Sequence, residues 1–256
     1  MQALLNEFYE GRLATPGSLV FGHRGAKAYA PMNTLPSFEL ALVQGADGIE
    51  LDVRLSRDGA MVIMHDDRVD ATTDGAGRVS DLTLAEIQAL DAGAWFGEAF
   101  RGARVPTLDE VFEAVGKRTR INVEIKAESI RGEGIEAQVA EAIRRHGLAR
   151  SVIISSFNPL TLRRFRYVMP EVPIGYLYDQ NTPPFVPHLM IGLAHEARNP
   201  HHSMVNASYM AWAEKNGLRV NTWTVNDPAR ALELRDLGVD CIITDMPDVI
   251  LAALRD

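Results

Sequence analysis

A closed α/β barrel, with parallel strands each followed by a helix, is the fold that this sequence predicts. Three observations carry the prediction: short apolar runs recur along the chain, helix signals lie between most of them, and the chain has 256 residues. Alternating strands and helices call for a parallel sheet. About eight repeats favour a TIM-type (β/α)8 barrel over an open sheet, and such barrels reach this length as one domain. The expectation is one domain over residues 1–256, with a small insertion after the third strand segment.

The runs, in order, are Leu19-Val20-Phe21, Gly48 to Val53, Met61-Val62-Ile63-Met64, Ile121 to Ile125, Val152 to Ser155, Ile174 to Leu177, Val220 to Val225 and Cys241 to Thr244. Each reads as a strand buried on both faces. Thr34 is placed to cap a helix running to about Gln44, with Pro36 in its first turn and Gly45 past its end. Thr83 with Glu86, and Thr107 with Glu110, have capping-box spacing. Asn158-Pro159 and Asp227-Pro228 put a capping side chain before a proline at the first helical position. Further helices are expected near 135–146, 208–216 and 247–254.

Two features depart from a plain repeat. The segment between Val53 and Met61, holding Ser56-Arg57-Asp58-Gly59, is too short for a parallel crossover, so one of these runs is a hairpin partner beside the wall. An additional short strand is expected around His202 to Val205. Residues 68–105 form a Gly-, Asp- and Thr-rich excursion with one short helix, and it reads either as a cap over the barrel mouth or as an idle insertion. As a cap, its Trp95-Phe96 would supply an apolar wall for a substrate.

Apolar residues at 46% and charged residues at 23% match a soluble globular chain with a sizeable core. The formal net charge of −8 argues against a nucleic-acid backbone as the main partner. No apolar stretch is long enough for a membrane span. Met1 to Glu10 lacks a basic start followed by an apolar run, so a cytoplasmic protein is the expectation. Cys241, the single cysteine, lies in an apolar run and reads as a buried small hydrophobe.

The chemistry-bearing residues sit at the ends of these runs. Side chains alternate along a strand, so Glu50 and Asp52 share a face, as do Glu124 and Lys126. Either these are solvated strand-end charges, or three carboxylates and a lysine converge on a hard divalent cation, Mg²⁺ or Ca²⁺. His23 and His65 both follow an apolar run, at the strand ends where barrel enzymes keep their sites. A pair of histidines can act as base and acid across one phosphorus centre, although a lone histidine is more often structural. Arg24 suits phosphate oxygens or a bridge to Glu50 or Asp52. Trp223, between Thr222 and Thr224, reads as core or as a substrate platform, and His201-His202 as pocket rim or surface loop. No zinc spacing, Gly-rich phosphate loop or serine elbow occurs. Together these residues are the inventory of a metal-assisted phosphodiester hydrolase acting on a small molecule.

The ordered set His23-Arg24-Gly25, Ala30-Pro31-Met32-Asn33-Thr34, Gly45 to Val53, Asp58-Gly59, His65-Asp66, Val123 to Lys126, Ser155-Ser156-Phe157, Trp223 to Asn226 and Thr244-Asp245 resembles the glycerophosphodiester phosphodiesterases from about residue 19 onward. The resemblance implies a barrel of the phospholipase C-like phosphodiesterase type and one divalent cation held by Glu50, Asp52 and Glu124. It implies His23 and His65 as general acid and base, Arg24 and Lys126 on the phosphate, and cleavage of glycerophosphodiesters to sn-glycerol 3-phosphate and an alcohol. Trp223 is a substrate-binding candidate. The family pattern has glutamate where this chain has Met32. Two other readings follow: a lysophospholipase D acting on lysophospholipids, motivated by Trp95 and Phe96, and a binding protein on an impaired barrel, motivated by Met32.

Overall fold

In a computed structural model describing residues 8–9, 17–127 and 132–255, the apolar runs become strands with two different faces. In β1 (Leu19–His23), Leu19 and Phe21 pack with Ile153, Ala197, Cys241 and Ile243 inside the barrel, whereas Val20 packs outward with Val220, Ile242, Leu234 and Ile250. The same alternation holds around β2 (Gly48–Leu55), β4 (Arg120–Ile125), β5 (Val152–Ser156), β6 (Ile174–Tyr178), β7 (Ala197–Pro200), β8 (Arg219–Thr222) and β9 (Cys241–Thr244). A strand buried on both faces needs apolar residues at every position until its polar end, which is why the runs look continuous in sequence.

The strand order runs β1-β9-β8-β7-β6-β5-β4-β2, and β1 pairs with β2 to close the ring, all parallel. The expected barrel is therefore present. β3 (Met61–Ile63) pairs antiparallel with β2 outside the ring, as the short Ser56 to Gly59 turn requires. Gly48 is needed where β2 crosses β1, because a Cβ there would lie 2.4 Å from the Phe21 ring.

Helices α1 (Leu35–Val43), α2 (Leu84–Gln88), α3 (Leu108–Val115), α4 (Ile135–His146), α5 (Pro159–Val168), α6 (Ala207–Lys215), α7 (Pro228–Asp236) and α8 (Pro247–Arg255) follow the predicted positions. Both capping boxes form, and Asn158 and Asp227 cap α5 and α7 through their side chains. Thr34 differs. It holds the N-cap position of α1, but its hydroxyl donates to the Pro31 carbonyl (2.6 Å) instead of accepting from the helix.

Two strand expectations need correction. The strand sought at His202 to Val205 lies at Ala197–Pro200, and His202–Met204 is a 3-10 turn. Ala-Arg-Asn-Pro carries no apolar run because Asn199 faces the polar interior while Arg198 lies against Tyr176, Tyr178 and Trp212. β8 ends at Thr222, short of the expected Val225, and the Trp223–Thr224 peptide is cis.

Residues 68–105 build a separate small core. Val69, Val79, Ile87, Ala92 and Val105 pack with Val62 and Met64 of the β3 segment. No described helix is long and apolar enough to cross a membrane.

Candidate active site

At the C-terminal end of the barrel a cavity of about 150 Å³ is lined by His23, Arg24, Glu50, His65, Asn122, Glu124, Lys126, Ser155, Phe157, Leu177, Trp223, Thr224 and Ile243. Of the acid–base, phosphate-contacting, cation-binding and substrate-platform candidates, His23, Arg24, Glu50, His65, Glu124, Lys126 and Trp223 line it, and Asp52 is fully buried.

The carboxylates come from adjacent strands in register: Glu50 lies opposite Asn122 and Asp52 opposite Glu124. Ligand atoms of Glu50, Asp52 and Glu124 fall within 4.8 Å of one another. Lys126 lies 2.6 Å from Glu124 Oε1 and 3.1 Å from Asp52 Oδ1, and Arg24 Nε is 3.2 Å from Asp52 Oδ2. Asn33 donates to the same Oδ2 at 2.8 Å. Burial and the neighbouring Asp52 and Glu124 charges push Glu50 well above the usual carboxylate range. Burial likewise lifts Glu124 to about 7 even with Lys126 opposing it. Burial acts upward on Asp52 too, but Lys126 and Arg24 outweigh it and hold that carboxyl below its ordinary value.

This donor set fits a hard divalent cation. Three buried carboxylates face two cationic side chains, and among the described residues Asp52 Oδ1 has no hydrogen bond, with Lys126 Nζ 3.1 Å away. A buried carboxylate oxygen without a hydrogen bond is open to coordination by an oxygen-preferring cation.

Arg24 reaches this cluster through an unusual turn. Arg24 (φ 54°) and Gly25 (φ 87°) are both left-handed, so the chain reverses directly after β1, and the Arg24 amide donates to Glu50 Oε2 at 3.1 Å. A Cβ on residue 25 would lie 2.3 Å from Ser37 Oγ, so glycine is required there. The outer face of the guanidinium meets Met32, with Nη1 3.4 Å from Sδ.

The two histidines are each oriented by a carboxylate. His23 Nδ1 lies 2.6 Å from Asp245 Oδ1, and Asp245 is itself held by the Asn226 amide at 2.9 Å. Burial depresses the His23 pKa, against the lifting effect of Asp245. Burial raises Asp245, but its bond to His23 and the Asn226 amide prevail and bring it to about 2. His65, just past β3, places Nδ1 2.7 Å from Asp66, and both Nε and Nη2 of Arg54 donate to its carbonyl. Its pKa is also depressed, first by burial, with Asp52 opposing.

Sequence reasoning passed over Asp245, Asn226, Asn122, Ser155 and Phe157. All but Asn122 stand in the quoted motifs, and Asn122 sits two positions before Glu124 on the same strand face. Asn122 Oδ1 and Ser155 Oγ are buried with no hydrogen-bond partner among the described residues, and both residues line the cavity, a sign of polar groups kept for a ligand. The aromatic wall is also corrected. Trp95 and Phe96 do not line the cavity; Phe157 and Trp223 do, with ring centroids 5.5 Å apart, and His201 packs edge-on to Trp223.

The model of the glycerophosphoryl diester phosphodiesterase family matches residues 23–249. A glycerophosphodiester phosphodiesterase of Caldanaerobacter subterraneus is 40% identical over 240 residues, covering 93% of this chain and 98% of the relative. One from Bacillus subtilis is 33% identical over 261 residues, covering 94% and 88%. Among solved structures, an Oleispira antarctica phosphodiesterase in complex with the product sn-glycerol-3-phosphate superposes with a TM-score of 0.84 at 33% identity, covering 94% of this chain and 98% of that one.

Proposed function

Because the chain belongs to the glycerophosphoryl diester phosphodiesterase family, we propose that it hydrolyses glycerophosphodiesters, such as glycerophosphocholine or glycerophosphoethanolamine, to sn-glycerol 3-phosphate and an alcohol. The observation that carries this reading is the convergence of two carboxylate-oriented histidines, two cations and a buried carboxylate triad on one cavity.

Glu50, Asp52 and Glu124 would hold one divalent cation, Mg²⁺ or Ca²⁺, which when bound supplies Lewis-acid stabilisation of the phosphoryl oxygens. The chain's own groups do the rest. Arg24 and Lys126 orient the phosphodiester and offset its charge as it grows. Asn122 and Ser155 offer hydrogen bonds to glycerol hydroxyls, and Trp223 with Phe157 screens the reacting centre from water.

His23 is assigned as the base and His65 as the acid. Asp245 accepts the Nδ1 proton of His23, so the neutral ring presents its Nε2 lone pair to the attacking oxygen, whether of water or of a substrate hydroxyl. His65, more open to solvent, hands its proton to the leaving alkoxide.

Purified protein with Mg²⁺ or Ca²⁺ should release sn-glycerol 3-phosphate from glycerophosphocholine, and EDTA should stop it. No release across several headgroups with either ion added would refute the reading.

A further inference from the structure

Trp223 stands just past the end of β8, where the pairing with β7 is about to end. The two strands are in register at Ala197 with Arg219 and at Arg198 with Val220, and two positions further along β7 Pro200 has no amide hydrogen for the ladder. Side chains fill in there. Thr222 Oγ1 donates to the Pro200 carbonyl (2.9 Å), and Trp223 Nε1 donates to the Asn199 carbonyl (2.9 Å). The lie of the indole is therefore tied to the lie of Asn199.

Asn199 is fully buried, and its side-chain oxygen accepts from the Asn221 amide at 3.3 Å. Asn221 Oδ1 accepts in turn from the Tyr9 hydroxyl at 3.0 Å. Burial pushes the Tyr9 phenol well up, so it stays a donor. Tyr9 belongs to the opposite end of the barrel: Arg219, the first residue of β8, lies over its ring at 5.3 Å from the centroid, and Arg120, the first of β4, donates to the Phe8 carbonyl. Phe8 and Tyr9 also share an apolar cluster with Ile243 and Trp223, both of which line the catalytic cavity. Polar bonds and packing thus both lead from the barrel floor to the cavity wall.

The geometry points to Tyr9 as a positioning residue for Trp223: it holds the Asn221 and Asn199 amides, and through them the indole, so that substrate affinity depends on a hydroxyl at the far end of the barrel. Tyr9 does not line the cavity and acts only through these neighbours. The kinetic part of the inference rests on the hydrolytic activity proposed above; the placement of the indole does not.

Tyr9→Phe keeps the ring and removes the donor. KM for glycerophosphocholine should rise by about two- to tenfold with kcat little changed, and Asn221→Ala should act in the same direction. Because both break one chain, Tyr9→Phe should add nothing further in the Asn221→Ala background. With Trp95→Phe and Trp212→Phe in place, Trp223 is the only indole, and Tyr9→Phe should shift its emission and raise its quenching by acrylamide. Val139→Ala, in the core on α4, controls for general destabilisation and should move neither KM nor emission. A Tyr9→Phe protein that is only less heat-stable, or effects of the two variants that add, would overturn the positioning and leave the activity standing. A wild type inert on glycerophosphocholine whose Trp223 emission still responds to Tyr9→Phe refutes the activity and upholds the positioning. An inert protein with unresponsive emission overturns both.

Discussion

The cavity contains two histidine–aspartate pairs, and they are supported in opposite ways. His23 ends a barrel strand, and its Asp245 arrives from the end of the neighbouring β9; their side chains are 12% and 17% exposed. His65 follows a hairpin strand outside the ring and takes its carboxylate from the adjacent residue; that pair is 35% and 45% exposed. The first pair is locked between two strands and kept dry, which suits a base whose tautomer must not vary. The second stands nearer solvent, which suits an acid that must be reprotonated in each cycle. On the proposed assignment, one chemical motif would serve two roles through its mounting.

Removing either ring gives the largest expected effect. His23→Ala and His65→Ala should each lower kcat on glycerophosphocholine by about 10²–10⁴-fold, the range for a positioned general acid or base, with thermal unfolding near that of the wild type. Loss of only one activity would show that the pairs do not share the reaction.

Next come the carboxylates beneath them. Glu124→Gln should weaken divalent-cation binding by about 10–100-fold or more, read by calorimetry and by the cation concentration needed for half-maximal rate. In the wild type, the lifted Glu50 and Glu124 must release protons on binding, so cation affinity should rise with pH through about 7. The stability of the cation-free protein should run the other way. A carboxyl raised in the folded state contributes stability that is present below its unfolded pKa and is lost as pH rises toward about 7. Added cation should restore it, and pH-dependent melting curves with and without Mg²⁺ would show this.

The asymmetry of the pairs is sharpened by their aspartates. Asp245→Asn should cost on the order of 10²-fold in kcat and move the acid limb of the pH profile lower, because the bond that lifts His23 is gone. Asp66→Asn should cost less than about tenfold, and it should shift the basic limb lower, since the group it supports must be protonated. Equal losses would mean that burial does not distinguish the two mounts.

The smallest effect is expected at Met32, beside Arg24. Met32→Glu puts a carboxylate against the guanidinium, so KM for the anionic substrate should rise by up to about tenfold with kcat little changed. An inert wild type made active by this change would instead identify an impaired barrel that binds without turnover.

The barrel and the carboxylate cluster were legible in sequence because strand periodicity puts Glu50 with Asp52, and Glu124 with Lys126, on shared faces that a closed barrel brings together. β7 was not, since a four-residue strand with an inward asparagine and an outward arginine has no apolar signature. Nor was Asp245 legible as the partner of His23: they are 222 positions apart and meet only because the ring closes. His65–Asp66 is adjacent in sequence, yet adjacency carries no sign of which neighbour a ring will turn toward. Trp95 and Phe96 read as an apolar wall because aromatic residues in an excursion look like a lid. They pack edge-on to each other within the insertion instead, with the Trp95 indole donating to the Ala92 carbonyl.

The division of labour between the two histidines is tested most directly with a glycerophosphodiester whose leaving group is p-nitrophenolate, which departs without protonation. On this substrate His65→Ala should recover most of the wild-type rate, because the acid is no longer needed, while His23→Ala stays as impaired as on glycerophosphocholine. Recovery by His23→Ala with His65→Ala still impaired would contradict the assignment of the buried pair as base and the open pair as acid.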